Sequence, residues 1–317
     1  MTGDAAGETV RPAELEHALA ALAGGDPDAG LFGPHSALWR VDREAALFLG
    51  SGRALLLQLA HPWVAAAIAA HSDALADPFG RFHRTFGTVY VMVFGTRAQA
   101  LGMARRLHRV HAGIAGRMPY GLGKFAAGSD YRANEVAALR WVWATLVDTA
   151  LLAHDLALPP MTERERSRYY EDSLRFGALF GLARDALPPD RVAFAAYMAD
   201  MVGGDALAVG PDARRIGIGL VAAPKPWLPV PRWFRDLTAH TLPPRLREAY
   251  GLPCGPVERR RGDRAIRWIR RLYPLLPRRL RHAGPYQEAM ARLAGRGPDV
   301  PTRALNRVWI GRARLGG

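Results

Sequence analysis

The sequence predicts an all-α fold, and three observations carry the prediction. Apolar residues recur at i, i+3, i+4 and i+7 along successive stretches, the spacing of one helix face. Helix-start signals stand before several of them, among them Thr162 with Glu165 three residues on. Strand signals are nearly absent: few Val, Ile and Thr residues alternate with polar ones, and no hairpin dipeptide joins two such runs.

Taken in order, residues 1–30 are polar, rich in Gly, Ala and Asp, and read as a loosely attached arm with one short helix near Ala13–Ala23. Leu31-Phe32-Gly33-Pro34 marks entry into a helical domain over residues 31–257, with His35–Phe48 as its first helical stretch. Ser51-Gly52 breaks that stretch. Arg53 then opens an apolar helix, ALLLQLAHPWVAAAIAAHS, which Pro62 must kink or restart because proline removes an amide donor. Hydrophobic nearly all round, this helix is expected to be central and buried. Its two histidines each carry two readings. His61 is held by carbonyls freed at the kink or lines a pocket; His71 caps the helix end against its dipole or faces a cofactor carboxylate.

The stretch from Asp77 to Gly116 reads as two consecutive helices and organises the rest. In the first, Phe82, Phe86, Val89 and Val93 form an apolar stripe, and Arg81, Arg84 and Thr85 sit beside it at i, i+3 and i+4. Two cations and a hydroxyl thus rim a buried face. In the second, Leu107, Val110, His111 and Ile114 share one face, whereas His108 is turned about 100° away and is expected to border solvent. A buried imidazole needs a partner. For His111 that partner is a hydrogen-bonding group of the core or, as an axial ligand, a haem iron.

The glycine-rich connection RMPYGLGKFAAGSDYRA reads as a lid or cofactor edge, and Asn134 is placed to cap the next helix. That helix runs to about Ala153, with Leu139, Val142, Leu146 and Thr149 on one stripe and Trp141, Thr145 and Asp148 beside it. Asp148 is a local hydrogen-bonder or a group that orients a ligand. The Thr162–Glu165 box opens a helix through Leu182, and another spans about Asp190–Val202. Gly217, Gly219 and Ala222 mimic a dinucleotide fingerprint, but no strand precedes them. APKPWLPVPRWF reads as a rigid, extended wrap over the body. From Asp263, RAIRWIRRLY sets Ile266, Ile269 and Tyr273 against arginines. This basic amphipathic helix either packs on its own domain or touches an anionic membrane surface peripherally.

Composition narrows the function classes. The chain has 317 residues, enough to bury a large core, and no run of about 18 uncharged apolar residues that would predict a membrane span. An acidic start without an apolar h-region argues against a secretory signal, so a cytoplasmic protein is expected. Cys254 is the only cysteine, which excludes an intramolecular disulfide and a thiolate metal cluster. The net charge of +14 is uneven: residues 258–317 hold 16 Arg against 4 acids, +12, leaving +2 for the rest. A basic C-terminal extension packed on or beside a near-neutral body does not imply nucleic-acid binding, and no stacking signature or zinc finger accompanies it.

The ordered set AHPWVAAAIAAHS (Ala60–Ser72), PFGRFHRT (Pro78–Thr85), VFG (Val93–Gly95), HAGIAG (His111–Gly116) and WVWATLVDT (Trp141–Thr149) resembles the MpaB-type oxygenase family. That family shares its catalytic domain with the rubber oxygenase known as latex clearing protein. The resemblance covers roughly residues 31–205. It implies an all-helical, globin-like core that holds b-type haem without covalent attachment, with His111 in the place of the proximal iron ligand. Arg81 and Thr85 match the RxxKT-like motif of rubber-cleaving members, with Arg84 where those have lysine. A guanidinium does not deprotonate, so an open site or bound water replaces a distal lysine ligand. Arg81 and Arg84 then pair with haem propionates or polarise dioxygen. Two departures remain: Trp143 stands where relatives commonly read WVHATLVDS, and Arg53–Ser72 contains no carboxylate to act as base, so polyisoprene cleavage does not follow.

The resemblance therefore implies a haem b-dependent oxygenase acting with dioxygen on a hydrophobic small molecule. Its candidate site is Arg81, Arg84 and Thr85 on the distal side, His111 on iron, and His61 and His71 near the cofactor. The alternatives are a haem-binding or gas-sensing protein without turnover, and a cofactor-free helical scaffold that docks to membranes through its basic tail.

Overall fold

Prolines and short polar caps set most helix starts. The computed structural model describes residues 7–22, 24–221 and 230–316. It begins with α1 (Pro12–Ala20) and α2 (Ala37–Asp42), followed by a 3-10 turn, Ala45–Gly50. This leads into α3 (Ser51–Leu59), and α4 (Pro62–His71) departs at 99°. Pro62 has no amide proton and disfavours a helical residue before it, so His61 is extended (φ −81°, ψ 117°) and the helix restarts. Asp77 accepts from the Gly80 amide to start α5 (Pro78–Phe94), and a Thr96–Gln99 capping box starts α6 (Arg97–Ala112).

The glycine-rich connection forms an antiparallel pair, β1 (Ala115–Arg117) and β2 (Asp130–Arg132), with Gly116 opposite Tyr131. These are the only strands among the described residues. Then come α7 (Val136–Ala157), α8 (Glu163–Ala178), α9 (Arg191–Gly203) and α10 (Pro211–Val221). The Thr162–Glu165 box caps α8 as the spacing predicts. The chain closes with α11 (Arg232–Thr241), α12 (Pro244–Tyr250), α13 (Pro256–Leu272), α14 (Arg278–Arg281), α15 (Gly284–Leu293) and α16 (Val300–Ile310). The fold is all-α.

At the centre stands α7, packed against the 3-10 turn, α3, α8 and α13. Trp141 and Trp143 are fully buried, and their indole N–H groups donate to Leu57 O (2.9 Å) and Ser173 O (2.8 Å). Neither indole therefore leaves an orphaned donor. Length and composition alone would let α7 cross a membrane, contrary to the expectation of no such helix. Its buried Trp141, Trp143, Thr145 and Thr149 make it the core helix of this fold. In α10, a Cβ on Gly217 would stand 2.5 Å from Leu56 Cδ2, so this glycine serves close helix packing rather than a phosphate loop.

Arg53 is the polar hub between α3, α7 and α11. Its guanidinium donates to Thr149 Oγ1 (2.9 Å) and Thr241 O (2.9 Å) and pairs with Asp148 at 2.7 Å. Asp148 is thus a structural partner. Replacing Arg53 by Met keeps the volume but strands these acceptors, and the expected cost is about 2 kcal/mol. A denaturant midpoint unchanged from wild type would refute the hub role.

Several expectations need correction. Where it is described, the N-terminal segment is packed, not loose: Val10, Leu15, Leu19 and Leu22 join the main core, as do Ala283, Ala289, Ile310 and Leu315 from the other end. His35–Phe48 splits after Asp42, because Glu44 is extended (φ −75°, ψ 122°). The N-cap of α7 is Glu135, not Asn134, whose amide donates instead to His108 O at 3.3 Å. α8 ends at Ala178, with turns continuing to Leu182. Of the expected wrap APKPWLPVPRWF, and of Ala222, residues 222–229 lie outside the described residues, and from Arg232 the chain is helical.

Candidate cofactor and active site

One open cavity lined by described residues gathers all the candidate site residues but His61. It measures about 770 Å³ and is walled by α4, α5, α6, α7, the end of β2 and the residues that close α16. That volume falls in the ~300–1,000 Å³ range of small-molecule sites.

The α6 wall is Met103, Arg106, Leu107, Val110 and His111, one helix face at i, i+3, i+4 spacing, with Ile114 just past the helix end. His111 is half-buried on this wall, and no hydrogen bond to its ring is formed by any described residue. Burial, with His108 nearby, pushes its pKa down to about 4, so the ring is neutral at pH 7 with a free lone pair.

His108 is the counterpart. The sequence turned it towards solvent; it is 8% exposed, and its Nε2 lies 2.9 Å from Val10 O. The correction has a physical cause: α6 is sandwiched between the cavity on one side and the N-terminal segment and α1 on the other.

α5 supplies Gly80, Arg81, His83, Arg84, Thr85, Gly87, Thr88 and Val89. Arg81 donates to Ser72 Oγ at 2.9 Å, which ties α5 to the end of α4. Burial and the neighbouring Arg84 draw its pKa below the ordinary value, yet a guanidinium stays charged. Arg84 is exposed at the rim, 3.3 Å from Asp77. Thr85 is also exposed on the lining. From α4 comes His71, whose Nε2 lies 3.2 Å from Ala115 O and so ties that helix to β1.

His61 does not join them. Buried to 3% exposure among the rings of Trp63 and Phe125, it lies in the small cluster under the 117–133 connection, off the cavity lining. The extended residue before Pro62 aims its side chain there, and burial holds its pKa near 3. A cofactor-binding role for His61 is therefore withdrawn. Trp143 likewise faces Tyr170 and Phe194, so the departure from relatives at that position does not reach the cavity.

Other lining residues carried no expectation. Arg106, Arg132 and Arg312 bring the guanidinium groups of the lining to five, and none of its residues is Asp or Glu. Apolar walls come from Val64, Ile68, Leu139, Val142, Leu146 and Phe180, with Gln58 bonded to Thr145 Oγ1 at 3.1 Å. Among the described residues no three His, Cys, Asp or Glu converge on a metal position. A single neutral imidazole holds an iron well only when a macrocycle supplies the other ligands. Apolar walls, one free imidazole and a cationic, acid-free rim fit a flat apolar group that carries carboxylates, which haem b is.

A family model described as "ER-bound oxygenase mpaB/B'/Rubber oxygenase, catalytic domain" matches residues 39–271, more than two-thirds of the chain. No curated protein and no solved structure gives a significant match.

Proposed function

Because this chain belongs to the family of mpaB/B' and rubber oxygenase catalytic domains, we propose that it is a haem b-dependent oxygenase that uses dioxygen to oxidise a hydrophobic small molecule. One observation carries the reading: His111, the one lining imidazole that no described residue hydrogen-bonds, faces an apolar cavity whose charged side chains are five arginines and no acid.

When bound, haem supplies an iron centre able to activate dioxygen. The protein's own part is binding, orientation and exclusion of water. His111, neutral at pH 7, would hold the iron through its free ring nitrogen. Arg81, Arg106, Arg132 and Arg312 would hold the cofactor's carboxylates by charge-assisted hydrogen bonds, with Arg84 at the rim. Arg84, whose guanidinium does not deprotonate, would not act as an iron ligand, so the apolar part of the cavity would be left to dioxygen and substrate. Val64, Ile68, Val142 and Leu146 exclude water and align the oxidisable group. A globin-like arrangement of the helices belongs to the same reading.

Oxygen uptake by the reduced, haem-loaded protein tests it: uptake should rise only when a lipophilic substrate is supplied. Inertness to a broad panel of alkenes, terpenoids and long-chain lipids would instead favour a haem protein without turnover. The arginines are graded. Arg81→Gln, at a half-buried position, should weaken hemin binding about tenfold, whereas the exposed, Asp77-paired Arg84 should matter about threefold or less. Equal losses in a hemin titration of the two variants would overturn the grading.

A further inference from the structure

The cavity takes Arg312 from the end of the basic C-terminal segment but nothing from residues 256–281, and the orientation of that part is unusual. α13 turns polar residues inward. Arg261 pairs with the buried Asp236 at 2.7 Å, Arg270 donates to Asp155 O at 3.0 Å, and Asp263 lies 3.7 Å from His240. The following turn is fixed by Glu44, itself 1% exposed. It accepts from Tyr273 Oη at 3.0 Å and pairs with Arg281 at 3.0 Å. Pinned through these groups, the segment holds its large apolar side chains outside. Trp268 is 55% exposed, Leu272 51%, Leu275 77%, Leu276 41% and Leu280 62%.

Five large apolar side chains exposed within thirteen residues are rare on a protein unless something covers them. What surrounds it indicates the partner. Residues 256–281 contain ten Arg against two acids, Glu258 and Asp263. Arg264, Arg267, Arg271 and Arg278 are exposed and form no ion pair among the described residues. A second copy docking face to face would set these arginines against their equals, which is repulsive. A bilayer with anionic headgroups instead meets the arginines with opposite charge and takes Trp and Leu side chains into its interface.

We propose that the face formed by α13 and the turn to α14 is a peripheral membrane-docking surface for anionic phospholipid bilayers. Trp268, Leu272, Leu275, Leu276 and Leu280 insert at the headgroup boundary, and Arg264, Arg267, Arg271 and Arg278 contact lipid phosphates. The expectation that this helix packs its apolar side on its own domain holds only for half-buried residues such as Ile266 and Ile269. The inference goes beyond the oxygenase reading and does not depend on haem, because vesicle binding reads the surface directly.

The test is co-sedimentation of the full chain with vesicles of phosphatidylcholine alone or with about a third phosphatidylglycerol. Wild type should pellet only with the phosphatidylglycerol vesicles. Leu275→Ser with Leu276→Ser should lower the partition coefficient about tenfold or more, since both exposed side chains lose the methyl groups that would enter the bilayer. Arg267→Gln with Arg271→Gln should lose binding at about 150 mM salt, where weak electrostatic attraction is screened. Both double variants change exposed positions and should keep the wild-type circular dichroism and melting temperature. Failure of wild type to bind the anionic vesicles would overturn the proposal. So would wild-type binding by the Leu275/Leu276 variant, which would reduce the effect to net charge. A wild-type dimer that becomes monomeric in that variant, with no vesicle binding by either, would make the face a self-interface and overturn it as well.

Discussion

His111→Ala purified with added hemin is expected to be folded but without a Soret band, while His108→Ala keeps the band and loses stability. The asymmetry follows from geometry. The His111 ring lines the cavity and is hydrogen-bonded to no described residue, so its removal costs the fold little. Haem affinity should fall by more than the ~10–100-fold that loss of a mere outer partner costs. His108, on the other side of α6, is buried and bonded to Val10 O, and its backbone carbonyl accepts from Asn134. Truncating it strands the Val10 carbonyl and opens a cavity under the N-terminal segment, a loss of about 1–2 kcal/mol. A band retained in the His111 variant and lost in the His108 variant would reverse the assignment of the two faces of α6.

That pair also shows what the sequence could and could not reveal. Helical periodicity puts Leu107, Val110, His111 and Ile114 on one face, and that i, i+3, i+4 stripe lines the cavity. The same stripe contains Arg106, three residues after Met103 and four before Val110, so a signal for it existed. An arginine on an otherwise apolar face reads as a solvated edge unless one knows that the face opens on a cavity. Arg132 and Arg312 carried no such signal. One closes a hairpin and the other follows the last helix, and only the tertiary fold brings either near His111.

The errors have the same root. Residues 1–30 look detachable by composition, yet Leu15, Leu19 and Leu22 are spaced to bury one side of a short helix against α6 and α8. His108 then has no solvent to border. At His61, sequence offered the pocket or the kink, and the backbone before Pro62 sends the ring to the Phe125 cluster. Capping boxes, by contrast, are decided within four residues, and Thr162–Glu165 appears where its spacing places it. Local chemistry was legible; which faces meet was not.

The largest effect on stability is expected at Asp42, where Asp42→Asn should make the protein more stable at pH 8 and flatten its pH profile. Asp42 is 7% exposed at the end of α2, and burial pushes its pKa from 3.8 up to about 7. Its hydrogen bond from Tyr169 Oη is long, at 3.4 Å, and compensates that burial poorly. Asp172 adds nearby negative charge and the buried Tyr90 hydroxyl supplies no hydrogen bond. The folded state therefore holds a proton that the unfolded chain has already released. Below about pH 4 both states are protonated and Asp42 costs nothing; from there to about pH 7 stability falls as pH rises, since folding must take up a proton. A rise from 3.8 to about 7, at about 1.4 kcal/mol for each tenfold change in proton affinity, sets an upper bound of about 4 kcal/mol lost at pH 8. Asparagine has nothing to ionise and its carbonyl still accepts from Tyr169. The difference in unfolding free energy between variant and wild type cancels groups common to both, including Glu135, whose carboxyl burial also raises to about 7. That difference should be near zero at pH 4 and grow in favour of asparagine up to about pH 7. A difference independent of pH would mean that Asp42 is ionised in the fold, satisfied by groups that its geometry does not show, and that the buried carboxyl is not a neutral acid at neutral pH.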